Sequence, residues 1–180
     1  LARWYHEKVL NIYLVGFMGA GKTAVGRVVA SRTGRDFLDL DTAVEARLGA
    51  SIRRIFATRG EQDFRTAETA ELRRASRCPN LVVATGGGLF ADRQNREMIR
   101  SSGGISVFLD LPWDVLRQRI GRDDPDRPKW VDEDHALRLL NQRRPGYLTA
   151  SIHLELSGHE APDEVADSIV ALLTEASCAS

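Results

Sequence analysis

At 180 residues, 43% hydrophobic and 28% charged, the chain holds enough apolar material for one buried core, which excludes a disordered segment and leaves little room for two independent domains. Twenty-five Lys plus Arg balance twenty-five Asp plus Glu, so no overall field draws the chain to nucleic acid or to an anionic membrane, and any anion binding is local. Only Lys8, Lys22 and Lys129 are lysines; the remaining basic residues are arginines, which suit carboxylates and phosphates, although a compositional bias of the source genome explains the excess equally well.

The opening LARWYHEKVL lacks the basic stretch, apolar run and small-residue cleavage site of a secretory signal, and its first residue is not methionine, so a native start further upstream is expected. No apolar run approaches the roughly 20 residues that cross a bilayer. Cys78 and Cys178 belong to no CxxC pair, so neither a disulfide framework nor a structural zinc site is expected. A cytoplasmic location without nucleic-acid or membrane partners is the expectation.

Residues 10–15 (LNIYLV) read as a strand that ends in a glycine loop, and 22–32 as a helix with Val25, Val28 and Val29 facing inward. A second strand, 36–41 (DFLDLD), precedes a helix over 42–48, which GAS at 49–51 breaks. A longer helical pattern covers 61–76 and stops at CPN. The third strand is 81–85 (LVVAT), followed by GGG; then come helix 93–101, strand 105–109 and helix 113–120. Residues 121–135 (GRDDPDRPKWVDEDH) interrupt the rhythm with two prolines and dense mixed charge, the material from which mobile lids are drawn. Helix resumes over 134–142, strand over 152–156, and a closing helix with proline in its first turn spans 162–174. This alternation predicts an α/β fold: a mostly parallel five-stranded sheet between helical layers, with ligands at the carboxyl ends of the strands.

The strand-to-helix junction at 16–23 (GFMGAGKT) fits G-x-x-x-x-G-K-[ST] in full. In that pattern the backbone N–H groups of Gly19, Ala20, Gly21 and the residues to Ala24 surround phosphate, Lys22 reaches the outer phosphates, and Thr23 ligates magnesium. The helix that follows points its positive end at the same anion. A GTPase switch would carry N-K-x-D and a D-x-x-G after a strand, and the chain has neither.

The acceptor has to be found elsewhere. In FLDLD the period of two places Phe37, Asp39 and Asp41 on one side of a strand, with both carboxylates at its carboxyl end; the competing reading has Asp41 cap the helix 42–48, which leaves Asp39 without a reason. Arg65 stands four residues after Glu61 and three before Glu68, spacings that serve either a surface ion pair or a ligand anchor. Gly86, Gly87 and Gly88 follow an apolar strand, where close approach of a ligand to bare backbone justifies their entropic cost, against the alternative of a flexible turn. Arg117 and Arg119 stand beside the lid segment and Arg122 and Arg127 within it, and an arginine delivered by closure would stabilise a transferring phosphoryl group; a solvated charged loop explains the mixed signs as well. Arg143 and Arg144, being consecutive on a helix, point about 100° apart, so both are not expected to face one ligand.

Taken in order, GFMGAGKTAVGR, FLDLD, SIRRIFATRGEQDFRTAE, VVATGGG and RRPGY resemble the shikimate kinase family, small relatives of the nucleoside monophosphate kinases, and the likeness spans nearly the whole chain from Asn11 onward. The resemblance implies one phosphate-loop kinase domain over 1–180, with a substrate-binding insert at about 41–77 and a lid at about 121–134, acting as a monomer. It implies transfer of the ATP γ-phosphoryl group to the 3-hydroxyl of shikimate with Mg2+. Lys22 and Thr23 match the nucleotide and magnesium residues, Asp39 the carboxylate near the metal, and Asp41 the residue holding the acceptor's ring hydroxyls. Arg65 and Arg143 match the clamp on the shikimate carboxylate, with Gly86, Gly87 and Gly88 beneath. Arg127 matches the lid arginine and Arg119 the nucleotide-side arginine, with Arg122 its rival. The lid reads RPKW at 127–130 where the family has R-P-L-L, so a kinase of another carboxylate-bearing polyol such as gluconate is the alternative, and a catalytically silent nucleotide-binding module is a third.

Overall fold

The computed structural model describes residues 10–120 and 133–178, and of the helix ending at 178 the side chains up to 175. Its strands are short: β1 (Ile12–Val15), β2 (Asp36–Asp39), β3 (Leu81–Ala84), β4 (Ile105–Asp110) and β5 (Ile152–Glu155). They form one five-stranded sheet in the order β2-β3-β1-β4-β5, with every pairing parallel. All four residues of β1 are buried, which requires cover on both faces of the sheet.

The helices supply that cover: α1 (Lys22–Thr33), α2 (Leu40–Leu48), α3 (Ile52–Ala75), α4 (Arg93–Ser101), α5 (Trp113–Ile120), α6 (Glu133–Tyr147) and α7 (Pro162–Cys178), with a 3-10 turn at Leu89–Ala91. Helix α1 approaches the sheet closely because Gly26 has no side chain; a Cβ there would stand 2.6 Å from the Phe37 ring. From β1 the chain leaves toward β3 and β2 on one side and returns to β4 and β5 on the other. The reversal puts a crevice at the carboxyl end of β1, where the glycine loop begins. A second, smaller apolar cluster of Val44, Ile55, Phe64 and Ala67 joins α2 to α3 apart from the main core. No described helix is long and apolar enough to cross a membrane.

Three stretches depart most from the sequence expectation. Strand β2 stops at Asp39 and helix begins at Leu40, because the Asp39 carboxylate caps α2 by accepting from the Asp41 and Thr42 N–H groups. Asp41 therefore lies in the first turn of a helix and not on the strand. Residues 52–59, unassigned in the sequence reading, are helical, capped by Ser51 and joined to 61–75 across a kink at Gly60 (φ 83, ψ 171) that only glycine adopts cheaply. Helix α6 passes its Pro145 and ends at Tyr147, held by contacts described below. The lid residues 121–132 lie outside the described residues.

Candidate active site

The donor half begins where β1 gives way to the glycine loop. Gly16, Gly19 and Gly21 adopt φ of 144, 77 and 84, and a Cβ on Gly16 would stand 2.9 Å from the Leu109 carbonyl oxygen. No side chain caps α1, whose N-cap is Gly21, whereas α2, α3 and α4 are capped by Asp39, Ser51 and Asp92. The leading N–H groups of α1 and its positive dipole end suit a phosphate. Lys22 Nζ folds over the loop and donates to the carbonyls of Gly16 at 3.0 Å and Phe17 at 2.8 Å. Arg119 on α5 lies against the same loop: Nη1 is 3.5 Å from the Gly19 oxygen and Nη2 donates to the Gly158 oxygen at 2.8 Å. The turn carrying Gly158 is closed by Glu160, which accepts from the N–H groups of Ser157 and Gly158 at 2.8 Å each. These bonds, that from Ser157 first, hold the Glu160 pKa down from 4.5 to about 2.

Asp39 links the start of α1 to the start of α2. Its Oδ2 accepts from Thr23 Oγ1 at 2.7 Å, while its Oδ1 accepts from the N–H groups of Asp41 at 3.0 Å and Thr42 at 3.3 Å. A hydroxyl and a carboxylate beside a phosphate cradle form a hard-oxygen donor set that fits Mg2+, an ion that takes one or two protein oxygens together with phosphates. The capping role thus belongs to Asp39, and the Asp41 side chain is left to point at the triple glycine.

That glycine run is where the residues expected to hold an acceptor meet. A Cβ on Gly86 would lie 2.2 Å from Glu68 Oε1 and 2.8 Å from Asp41 Oδ1. One on Gly88 would lie 2.6 to 2.7 Å from the guanidinium of Arg65. One on Gly87 would lie 3.3 Å from the Met18 nitrogen of the phosphate loop and 3.7 Å from Arg143 Nη1. The bare backbone therefore makes room for Asp41, Arg65, Glu68, Arg143 and the phosphate loop at once. A merely flexible turn would not be so closely lined.

Arg65 is both an ion-pair partner and a wall of this pocket. Its Nη1 donates to Glu68 Oε2 at 2.8 Å, and its Nη2 and Nε donate to Glu61 Oε1 at 3.1 and 3.2 Å. Burial pulls its pKa down, but the two carboxylates outweigh burial and the net shift is upward. Glu68, whose burial the sequence does not signal, has a side chain only 1% exposed. Its Oε1 has no hydrogen-bond partner among the described residues. Burial raises its pKa against the opposing pull of Arg65, and Asp41 adds to the rise. An unsatisfied buried carboxylate oxygen is costly and marks a place where a ligand hydroxyl or water is wanted. The i+3 spacing gave no hint, since surface pairs share it.

Arg143 and Arg144 diverge as the helix geometry requires. Arg143 faces the pocket beside Phe17, 5.9 Å from its ring, and contacts Tyr147. Burial lowers its pKa, and neighbouring Arg65 adds to the drop. Tyr147 donates its hydroxyl to the Gly87 carbonyl. Burial pushes the Tyr147 pKa up to about 12, so it remains a donor at neutral pH. Arg144 points instead to Asp110 at the end of β4. The structure thus gathers Lys22, Thr23, Asp39, Asp41, Arg65, Gly86, Gly87, Gly88, Arg119 and Arg143 around one crevice, while Arg122 and Arg127 lie outside the described residues.

A phosphate loop after the central strand of a parallel sheet, facing a pocket walled by two arginines and two carboxylates, defines a phosphate-loop small-molecule kinase. The family model described as shikimate kinase matches residues 18–174. The chain is 41% identical over 166 residues to a shikimate kinase of Synechococcus sp. (strain CC9605), covering 91% of this chain and 82% of that one. It belongs to the shikimate kinase family. Among solved structures, shikimate kinase from Acinetobacter baumannii in complex with shikimate superposes with a TM-score of 0.87 at 40% identity, covering 94% of this chain and 95% of that one. Shikimate kinase from Aquifex aeolicus superposes with a TM-score of 0.83 at 34% identity, covering 93% and 98%.

Proposed function

We propose that the chain transfers the γ-phosphoryl group of ATP to the 3-hydroxyl of shikimate, giving 3-phosphoshikimate and ADP. The observation that carries this reading is the convergence of Asp41, Arg65 and Arg143 on the triple glycine beside the phosphate loop. An acceptor that offers one carboxylate to two guanidiniums and its hydroxyls to carboxylates matches that lining, and family membership points the same way.

Each residue then has a physical task. Residues 16–24 enclose the ATP phosphates with backbone N–H groups, and Lys22 exchanges its carbonyl partners for phosphate oxygens. Thr23 and Asp39 would hold Mg2+, which when bound offsets charge on the phosphate oxygens. Arg65 and Arg143 fix the acceptor carboxylate, and Asp41 accepts the hydrogen bond of the reacting hydroxyl and turns its oxygen toward phosphorus. A loose transition state asks for alignment more than for a strong base, so orientation by Asp41 supplies most of what is needed. Arg119 serves the nucleotide side, and Arg127, in the lid segment, would complete the positive shell on closure. The separate apolar cluster between α2 and α3 supports reading residues 41–77 as an acceptor-binding insert.

Release of ADP from Mg-ATP, measured with shikimate, gluconate, CMP and AMP in parallel, tests this reading. Shikimate-dependent release is expected. Release independent of acceptor, or only with another acceptor, would overturn it.

A further inference from the structure

Arg144 and Asp110 form a fork-to-fork pair outside the pocket: Nη1 to Oδ1 and Nη2 to Oδ2, both at 2.6 Å. Asp110 is only 8% exposed, and His153 on β5 supplies a further partner, Nε2 to Oδ2 at 2.8 Å. The His153 ring stacks on Phe108 with centroids 5.1 Å apart, so the carboxylate is held from two sides. A pair this well oriented resists sliding, because a planar guanidinium meets both carboxylate oxygens in one geometry only.

The position of this pair matters more than its strength. Asp110 follows Leu109, whose carbonyl oxygen abuts Gly16, and Phe108 pairs with Val15, the last residue of β1 before the phosphate loop. Arg144 is the immediate neighbour of Arg143, and one rigid turn of α6 carries both. Arg65 is restrained by Glu61 and Glu68, whereas Arg143 has the Tyr147 hydroxyl and the Phe17 ring as neighbours. Two guanidiniums sharing a pocket repel one another until an anion arrives, so Arg143 needs a restraint that does not neutralise it. A neighbour fastened about 100° further round the helix provides one.

We propose that Arg144 is a positioning residue: through its clasp on Asp110 it fixes the distance between the Arg143 guanidinium and the phosphate loop, and so couples acceptor capture to the donor site. This rests on the acceptor reading given above. Loss of the clasp lets the turn of α6 shift, and misplacement of an anchor by about 1 Å costs as much as 100-fold in rate.

The test is a double-mutant cycle on initial rates. Arg144→Met is expected to raise the shikimate KM by at least about tenfold and leave the ATP KM within about twofold. Asp110→Asn, nearly the same shape without the charge, should move the shikimate KM in the same direction, and it serves if Arg144→Met folds poorly. Arg144→Lys, which keeps charge but loses the fork, should fall between Arg144→Met and the unmodified chain. In an Arg143→Ala background, Arg144→Met should add almost nothing to the shikimate KM, because the residue it positions is already gone. A lowered Tm with unchanged shikimate KM in both Arg144→Met and Asp110→Asn would overturn the proposal, as would multiplicative effects of Arg143→Ala and Arg144→Met. Absence of shikimate turnover in the unmodified chain would overturn the acceptor reading and the clasp together, an outcome distinct from a clasp variant that behaves as wild type.

Discussion

Adding one methyl group at Gly86 tests whether the triple glycine is spacing or merely slack. In Gly86→Ala the new Cβ would stand 2.2 Å from Glu68 Oε1 and 2.8 Å from Asp41 Oδ1, and ordinary contact begins at 3.4 Å. The glycine is outside the left-handed region, so the backbone accepts alanine and the collision is the whole effect. Glu68 cannot swing into water, being buried and bonded through Oε2 to Arg65 at 2.8 Å. The carboxylate must retreat by about 1 Å and take the acceptor anchor with it, which predicts roughly a 100-fold fall in kcat/KM for shikimate, about 2.7 kcal/mol of transition-state stabilisation. Overpacking costs about 1 to 3 kcal/mol of stability in addition. Coupled ADP-release kinetics at varied shikimate and varied ATP separate the two sides: the ATP KM should stay within about twofold. A folded Gly86→Ala protein whose shikimate kcat/KM lies within about threefold of wild type would refute the reasoning.

Arg65→Ala should raise the shikimate KM and spare ATP binding; in the same variant Glu68 loses the partner that opposes its burial, so its pKa climbs further above 4.5. Because a raised acid pKa favours the fold at low pH, the stability deficit of Arg65→Ala against wild type should widen as pH rises from about 4.5; urea titrations at pH 4.5 and 7 with equal deficits would speak against it. Glu160 titrates in the opposite sense: its depressed pKa contributes stability above 4.5 that is lost as pH falls toward about 2. The Tm advantage of wild type over Glu160→Gln should therefore be full at pH 7 and vanish toward pH 2, and a constant gap would contradict the assignment. Gly26→Ala, which drives a Cβ to 2.6 Å from the Phe37 ring, should cost about 1 to 3 kcal/mol in urea unfolding; an unchanged midpoint would show that α1 can lift off the sheet freely.

The donor half was legible because one contiguous stretch encodes it: strand, glycine loop and helix stand in sequence order, and Gly16 to Thr23 needs no distant partner to be recognised. The five strands were legible for the same local reason, β1, β3 and β4 as short apolar runs and β2 and β5 as short stretches with apolar residues among polar ones. The acceptor half was legible only in outline. Asp39 and Asp41 looked equivalent by strand periodicity, yet Asp39 ends the strand and caps α2, a choice made by hydrogen bonds to Asp41 and Thr42. Glu68 looked like one half of a surface pair, and its burial comes from packing against Gly86, far away in sequence. Helix α6 was expected to stop at 142, before Pro145. It continues because Arg144 is bonded to Asp110 and Tyr147 to Gly87, contacts 34 and 60 residues away that no local pattern carries. The helical pattern is read only from Glu61 onward, whereas Ile55 and Phe64 in the second apolar cluster hold helix on both sides of Gly60.

A crystal structure of the chain with Mg-ADP and shikimate tests the central claim most directly. The account predicts the shikimate carboxylate between Arg65 and Arg143 above Gly86 to Gly88, with Asp41 in hydrogen-bond reach of the hydroxyl that faces the phosphate loop. Shikimate bound with its carboxylate away from both arginines, or with no hydroxyl directed at the loop of Gly16 to Thr23, would contradict it.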